Sequence, residues 1–517
     1  MEKNERLDYY LDAIGFCIMG AVSLGYAIFQ VPFAESYIKL PFLNFPIFVG
    51  EWILAACLLL FFMKNKGRIC IKNKWQTVGV VFFTFVLLKA LCGYIQFGPL
   101  ALRHSAMFYY VSFAVLGCSF YRKEFFNSRN SLALYFVIIF LFITGKFSER
   151  FLITLLVLGF ILTQQIKQAK WRYTLLILLL LITPYGWLFN VSRTFILANI
   201  VAVIYVVSTM IIIAKVSRKL KCVIISVLFL LGCYGVIKAR NIQMVRAIFD
   251  LQHVKEKFVL WDKVVQEYID QYKMKDYGEV LVFNPDSLAQ GPRAGSKNFY
   301  QGHGAELHGY SINPTLPGVT HRKTNLQKQS QPVEQFSSEM KKGSDGDEHP
   351  KVANLPLVKS YKVTRLEATT ENAIFRLMIW RDMIDELMKG KPLFGFSFGK
   401  PFRSVSLEIL WWASGEWQRD GWIAAHNSYL ESIYRAGLVS VLLILAMVIQ
   451  LMRITIHFIK LASYKGLLLC GILVNWMMAA NFLLIFELPY TAIPVWGLFG
   501  VVFAYYKDSL KELPCAY

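Results

Sequence analysis

The sequence has little charge and few cysteines for its length. Charged residues make up 17% of the 517 residues, hydrophobic residues make up 56%, and the mean hydropathy is +0.45. A soluble chain of this length needs far more polar surface, so a set of ordinary globular domains is excluded. Apolar runs such as 175–182, 195–213 and 441–449 recur instead, many within stretches long enough to cross a bilayer. We therefore predict an all-α polytopic membrane protein.

Cysteine is absent from residues 239–425, the longest segment without an expected membrane span. A disulfide framework or a thiolate zinc site is therefore excluded from this segment. The segment contains 25 Lys/Arg and 22 Asp/Glu, a net charge of +3. Since the chain's charge of +21 is not concentrated in this polar part, we expect no nucleic-acid partner.

Most of the positive charge lies instead in alternate loops between the apolar runs. The residues outside 239–425 comprise 30 Lys/Arg and 12 Asp/Glu, a net charge of +18. Basic clusters occur at 64–74, 122–129, 167–172 and 215–221. The loops 31–46 and 183–192 between them carry few charges. This alternation follows the positive-inside rule and places the N-terminus in the cytoplasm.

About twelve membrane spans fit the apolar runs. We expect them at 11–29, 47–63, 76–93, 104–120, 131–145, 150–166, 173–189, 193–214, 222–238, 432–452, 464–484 and 488–505. The chain then divides into spans one to nine (1–238), one large exterior loop (239–425), and spans ten to twelve with a cytoplasmic tail (426–517). Both termini are cytoplasmic in this topology.

The exterior loop contains two amphipathic patterns separated by a polar stretch. The first, within 246–274, places Val254, Phe258, Trp261, Val265, Tyr268 and Tyr272 at helical spacing. The second places Ala373, Leu377, Trp380, Ile384 and Leu387 on one stripe, closed by Gly390 and Pro392. Residues 284–356 between them are rich in Gly, Pro, Ser, Gln and His, so we expect loop or disorder there. Two such helices beside a membrane either lie flat on it or cover a cavity.

Ionisable residues at the exterior ends of spans are candidates for function because burying them is costly. They are Arg103 with His104, Arg193, Arg376 on the second amphipathic helix, His426 and Glu487. The arginine fork binds phosphate oxygens in pairs and stays charged when partly desolvated. A neutral histidine accepts a proton near neutral pH. Together they suit a site that holds a lipid diphosphate and activates a hydroxyl.

Each of these residues also has a purely structural explanation. Arginines at span ends, such as Arg103 and Arg193, commonly extend to the membrane interface. Arg376 is equally compatible with the polar surface of an amphipathic helix. His426 is compatible with the start of the helix that follows it.

Four local patterns, in their order along the chain, resemble the O-antigen ligase and polymerase superfamily of bacterial membrane glycosyltransferases. They are Ser192-Arg193-Thr194; Arg376-Leu-Met-Ile-Trp380 running on to Pro392-Leu-Phe-Gly395; His426-Asn-Ser-Tyr-Leu430 followed by Gly437; and Phe486-Glu487 followed by Trp496 and Gly497. The twelve-span layout with a large exterior loop before the tenth span is also similar. The turn Gly395-Phe-Ser-Phe-Gly399 departs from the family, whose glycines often stand two apart.

The resemblance implies a GT-C-like fold in the bacterial inner membrane and a donor glycan carried on undecaprenyl diphosphate. It implies that Arg193 and Arg376 bind the diphosphate, with Arg103 a weaker match, and that His426 is the catalytic base. It implies no cofactor and no metal, and an acceptor that is a glycolipid such as lipopolysaccharide, a glycan or a protein. Asp345-Gly346-Asp347 looks like a metal motif of nucleotide-sugar enzymes, but its position in the polar stretch argues against that role.

Three related activities and one different class stay open at this point. A ligase transfers the finished glycan, a polymerase joins repeat units on the lipid carrier, and a protein O-oligosaccharyltransferase uses a Ser or Thr hydroxyl. A transporter would place its charged residues at the middle of the membrane instead of at one face. The exterior positions of the candidate arginines and histidine favour the enzyme.

Overall fold

The computed structural model describes most of the apolar chain. The described residues are 3–40, 45–67, 74–126, 128–164, 166, 168, 170–175, 177–179, 193–213, 251–272, 365–390, 392–409 and 424–511. The chain divides into two compact units, 1–290 with 368–517 and 291–367. Apart from residues 365–367, everything described below belongs to the first unit. Predictions for 222–238, 284–356 and most of 173–189 lie outside the described residues.

The described chain is mostly α-helical. Its helices are α1 (Lys3–Ala34), α2 (Val49–Lys64), α3 (Lys74–Phe97), α4 (Leu100–Tyr109), α5 (Ser112–Phe120), α6 (Ser128–Thr144), α7 (Leu152–Gln164), α8 (Arg193–Ile213), α9 (Leu251–Tyr272), α10 (Arg365–Gly390), α11 (Val405–Ile409), α12 (Ser428–Ala436), α13 (Leu438–Lys460), α14 (Tyr464–Ala479) and α15 (Pro489–Lys511). Short 3₁₀ turns occupy Lys123–Phe126 and Glu149–Phe151, and β1 (Tyr37–Ile38) pairs antiparallel with β2 (Ile47–Phe48).

Three of these helices are long and apolar enough to cross a membrane, which marks the chain as a membrane protein. They cover Glu5–Ala34, Thr77–Phe97 and Leu438–Lys460. Shorter apolar helices lie at Leu132–Thr144, Leu152–Gln164, Leu197–Ile213 and Tyr464–Ala479. Of the helices that contain them, α6, α7 and α14 are 13 to 17 residues long and fall below the length of about 20 residues that a span usually needs, whereas α8 is 21 residues long.

Two expected spans have different bounds in the structure. The span expected at 104–120 is two helices, α4 and α5, separated at Tyr110 and Val111. The span expected at 432–452 begins later, at Leu438, because Gly437 has a φ of +56° and ends the helical path of α12. The turn at Gly437 separates the polar α12 from the apolar α13.

Small residues let the central helices approach closely. A Cβ on Gly117 would lie 2.4 Å from the carbonyl oxygen of Gly497, and one on Gly500 would lie 2.1 Å from that of Ala114. Such backbone approach is typical of helix pairs in membranes, where tight packing replaces the hydrophobic effect. These close contacts pack α5 against α15 in the larger of the two apolar cores.

The helices α9, α10 and α11 bury a second, smaller apolar cluster. The prediction for α9 is confirmed for four of its six residues, because Val254, Phe258 and Trp261 pack against this cluster and Val265 is fully buried; the side chains of Tyr268 and Tyr272 lie outside the described residues. The stripe predicted for α10 is wrong in part, since Ile384 is 47% exposed. The fully buried residues of α10 are Ile374, Met378, Ile379 and Met383. They cover two sides of the helix because α10 packs against both α9 and the segment that contains Ala425 and Tyr434.

Candidate functional site

The site is built around His426, which has a backbone conformation that is rare for a side-chain-bearing residue. Its φ is +50°, in the left-handed region, and such a residue costs free energy unless its neighbours hold it. Both backbone polar groups of the preceding residue, Ala425, are hydrogen-bonded. Its carbonyl oxygen accepts a 2.6 Å hydrogen bond from Nε1 of Trp380, and its N–H donates to Oε2 of Glu431 at 3.1 Å.

The residues after His426 fix the other side of the turn. The side-chain oxygen of Asn427 caps α12 by accepting from the N–H groups of Tyr429 and Leu430, both at 3.0 Å. The N–H of Ser428 donates to the carbonyl oxygen of Ala480 at 2.9 Å. The His426 turn, defined here as residues 425–428, is therefore anchored to α10, to α12 and to the end of α14.

Residues 480–488, which connect α14 to α15, form a second part of the site and are hydrogen-bonded to Ser428. The Ser428 hydroxyl lies 2.6 Å from Oε2 of Glu487 and 3.0 Å from the carbonyl oxygen of Leu483. Glu487 retains some exposed surface as a residue, but its carboxyl oxygen Oε1 is buried and has no hydrogen-bond partner among the described residues. The pKa of Glu487 is raised to about 8, chiefly by burial and in smaller part by the nearby charge of Glu431, while hydrogen bonds from Ser428 and from the N–H groups of Phe486 and Glu487 oppose the rise.

Arg376 approaches the same connection from α10. Its Nη1 donates a 2.9 Å hydrogen bond to the carbonyl oxygen of Phe482. Burial lowers the pKa of Arg376 from its ordinary value, although a guanidinium remains charged at neutral pH. The preceding residue, Phe375, places its ring 6.5 Å from the imidazole of His426. Two of the four predicted site residues, Arg376 and His426, are thus brought together from positions 50 residues apart.

Arg193 is the first described residue of α8, and its side chain lies outside the described set. The helix runs antiparallel to α14, because the Phe195 ring lies 6.1 Å from that of Trp476 while a Cβ on Gly471 would meet Val206. The backbone of Arg193 therefore begins α8 near the end of α14 that leads into residues 480–488.

Arg103 is exposed on the first turns of α4. Its neighbour His104 is buried, and Nδ1 of His104 accepts a 3.0 Å hydrogen bond from the N–H of Gly399. The turn 392–399, which carries Gly395 at a φ of +70° and Gly399 at +88°, therefore lies between α4 and the end of α12, where the N–H of Phe396 donates to the carbonyl oxygen of Tyr434 at 2.8 Å. A Cβ on Gly395 would lie 2.6 Å from the backbone nitrogen of Gly437, so this turn also touches the start of α13.

Sequence reasoning missed Lys89, although a lysine within an expected span is itself a signal. Lys89 lies inside the candidate span of α3, and its ammonium donates to the carbonyl oxygens of Phe394 and Gly395, the latter at 3.2 Å. These hydrogen bonds from Lys89 hold the turn 392–399 against α3. The spacing of Glu431 and Arg435 was a further signal, because residues four apart on a helix face one another. Their 2.9 Å ion pair is buried, with Arg435 fully inaccessible.

The described residues hold no group of three or more His, Cys, Asp or Glu side chains that could bind a metal. Asp345 and Asp347 lie outside them. What the site offers is a half-buried cation, an imidazole and a carboxyl group at one end of the bundle. These groups can bind an anion and accept a proton.

No family model matches the chain, and neither a curated protein nor a solved structure shows significant similarity to it. The family resemblance therefore rests on the four sequence patterns and the expected layout of spans.

Proposed function

We propose that this protein is a membrane glycosyltransferase of the O-antigen ligase type. It transfers a glycan from undecaprenyl diphosphate to an acceptor hydroxyl at the outer face of the bacterial inner membrane. The proposal includes twelve spans with both termini in the cytoplasm, and it requires no metal or cofactor. The observation that carries it is the convergence of Arg376 and His426 on the connection 480–488.

The distribution of charge along the bundle supports an outward-facing site. Lys64, at the end of α2, pairs with Asp12 at 2.6 Å, as does Arg122. At the other end of α2, a Cβ on Gly50 would lie 3.3 Å from Pro489, two residues after Glu487. The basic cluster and the site are therefore separated by the length of α2, about 24 Å. By the positive-inside rule the basic end is cytoplasmic and the site faces outward.

The proposed reaction is a displacement at the anomeric carbon of the donor sugar. The acceptor oxygen forms a bond to that carbon while the bond from the carbon to the diphosphate oxygen breaks. His426 takes the proton of the acceptor hydroxyl, and the undecaprenyl diphosphate leaves with the bonding electron pair. Arg376, with Arg193 and Arg103, offsets the charge that develops on the leaving diphosphate.

Replacement of His426 by asparagine tests the base. Asparagine tolerates a positive φ, so the turn keeps its shape while the proton acceptor is lost. We expect transfer to fall about 100-fold or more, the range for loss of a general base, with normal amounts of protein in the membrane. The matched control is His457→Asn on α13, which should retain transfer. Normal product with His426→Asn would contradict the assignment.

The length of glycan that accumulates on the lipid carrier in cells lacking the protein separates the related activities. Long chains on the carrier indicate that polymerisation is intact and that transfer is missing, as expected for a ligase. They would also fit a protein O-oligosaccharyltransferase, which the loss of glycan from protein instead of glycolipid would identify. Single repeat units on the carrier would indicate a polymerase. An unchanged carrier pool would overturn the proposed function.

A further inference from the structure

The turn 392–399 contacts the middle of α3, a helix long and apolar enough to cross a membrane. The rings of Phe394 and Phe85 lie 5.9 Å apart. The ammonium of Lys89 donates to the carbonyl oxygens of Phe394 and Gly395. Because Lys89 is eight residues before the last residue of α3, it lies about 12 Å along the helix from that end.

The rest of the turn follows α3 toward the same end. A Cβ on Gly93 would lie 2.3 Å from the carbonyl oxygen of Phe398. A Cβ on Gly399 would lie 2.6 Å from Cβ of Phe97, the last residue of α3. Among these residues of the turn, Phe394 is therefore the one that lies furthest from the end of the helix.

The two ends of the turn meet at an ion pair. Nζ of Lys400, directly after the turn, lies 2.5 Å from Oε1 of Glu386, which belongs to the last turns of α10. Since Lys400 follows Gly399, both ends lie near the end of α3. The chain between them extends along α3 as far as Phe394 and then returns.

Backbone carbonyl oxygens outside a helix need hydrogen-bond donors at membrane depth, because lipid supplies none. The carbonyl oxygens of residues 392–395 each accept a hydrogen bond. Two accept from backbone N–H groups, those of Gly395 at 3.0 Å and Leu438 at 2.9 Å. The other two accept from the ammonium of Lys89. These carbonyl oxygens therefore have partners that do not depend on water.

The side chains at the far end of the turn are large, apolar and exposed. Leu393 and Phe394 are each more than half exposed. On α3, Leu88 and Leu91 share a face and are also more than half exposed. Lys89, which binds the turn, is the neighbour of Leu88. The exposed apolar surface of α3 therefore continues onto the turn, so that lipid covering one also covers the other.

We propose that Leu393 and Phe394 insert into the lipid leaflet at the Phe97 end of α3, and that Lys89 holds them there through the carbonyl oxygens. In the topology proposed above this is the outer leaflet. The insertion itself does not depend on the transfer reaction. Acyl chains are the occupant because the adjoining surface belongs to a helix with the length and composition of a membrane span. Hydrogen bonds to the two carbonyl oxygens offset the cost of an ammonium group at this depth.

Photocrosslinking tests the insertion. The photoreactive residue p-benzoylphenylalanine replaces Phe394 in the full-length protein, which is reconstituted in nanodiscs of phosphatidylethanolamine and phosphatidylglycerol and irradiated. Mass spectrometry then measures the lipid adduct on the labelled peptide. The same replacement at Leu87, which is exposed on α3, gives the lipid-facing reference. The replacement at Lys255, which is exposed on α9, gives the reference outside the lipid.

We expect the adduct yield at position 394 to be within about threefold of that at Leu87 and at least about tenfold above that at Lys255. A yield at position 394 no higher than that at Lys255 would overturn the insertion. A crosslink from position 394 to a second copy of the chain in place of lipid would also overturn it, because this surface would then be a protein interface.

Replacement of Lys89 by methionine tests the hold on the turn. Methionine is of similar length and has no donor, so we expect the adduct yield at position 394 to fall at least about threefold. Lys89→Arg keeps the donors and should stay within about twofold of the wild type. The control Cys92→Ala, at an exposed position on α3, should leave the yield unchanged. An unchanged yield in a monodisperse Lys89→Met protein would overturn the role of Lys89.

The crosslinking result and the transfer result are independent of each other. The replacement at position 394 is made with Lys89 in place, so it decides the insertion when Lys89→Met fails to assemble. If His426→Asn is fully active, the proposed function fails, while the adduct yield at position 394 still decides whether the turn enters the lipid.

Discussion

The indole Nε1 of Trp380 donates a 2.6 Å hydrogen bond to the carbonyl oxygen of Ala425, the residue immediately before His426. Together with the bond from Arg376 to Phe482, it attaches α10 to both halves of the site. These two hydrogen bonds from α10 therefore help to fix the backbone conformation at His426.

Replacing Trp380 by phenylalanine should weaken this attachment while keeping an aromatic ring. Ala425 is fully buried, so its carbonyl oxygen would lose its partner at a cost of about 1–3 kcal/mol. We expect a lower Tm in detergent and a transfer rate reduced about tenfold. Trp171→Phe is the control, because Trp171 is 56% exposed. Equal effects of the two substitutions would show that the bond to Ala425 does not matter.

Arg376→Lys should preserve the charge but lose the planar fork, which donates to the carbonyl oxygen of Phe482 and which we propose also binds the donor phosphate. We expect KM for the lipid diphosphate donor to rise about tenfold, and Arg376→Ala to lose transfer almost entirely. The measurement is steady-state transfer with varied donor concentration. Arg453→Lys on the exposed side of α13 is the control and should leave KM unchanged. An Arg376→Lys variant with a normal KM would remove Arg376 from the donor site.

Gly437→Ala should destabilise the fold through its backbone. Gly437 has a φ of +56°, and a Cβ there would lie 2.3 Å from the carbonyl oxygen of Leu393 and 2.5 Å from the nitrogen of Gly395. We expect a loss of more than about 2 kcal/mol, measured by thermal unfolding in detergent. Gly79→Ala is the control, since no atom lies within 4 Å of the added Cβ. Its helical position should gain up to about 1 kcal/mol, so a similar loss in both variants would contradict the argument.

Glu431→Gln should break a buried ion pair and leave Arg435 charged without its partner. The guanidinium of Arg435 is fully buried, and removing one member of such a pair costs about 3–5 kcal/mol. Asp508→Asn in the exposed pair with Lys511 is the control and should cost less than about 1 kcal/mol. Thermal unfolding of both variants gives the comparison. A difference of less than 1 kcal/mol between them would mean that the buried pair is dispensable.

The sequence predicts a helix well where an apolar or amphipathic run is bounded by polar residues. The runs 193–214 and 464–484 correspond to α8 and α14, and the amphipathic pattern within 246–274 corresponds to α9. The end of α10 at Gly390 is also confirmed. These features follow from local periodicity and from glycine and proline, which act on the chain within a few residues.

Features set by distant packing could not be predicted in the same way. The interruption between α4 and α5 at Tyr110 and Val111 has no glycine or proline within five residues on either side, and Tyr109 and Tyr110 both donate to Oε1 of Glu51 on α2. The buried sides of α10 depend on two neighbours that no sequence window contains. For the site, the sequence indicates Arg376 and His426 as separate candidates. Their proximity depends on the fold of the connection 480–488.

The close approach of Gly395 and Gly437 has a mechanical consequence. The turn 392–399 continues directly from α10, and the N–H of Leu438 donates to the carbonyl oxygen of Leu393 at 2.9 Å. With no side chain between the two backbones, the turn cannot slide without displacing the first residues of α13. A pull on α10 would therefore be transmitted to α13, a helix of 23 residues.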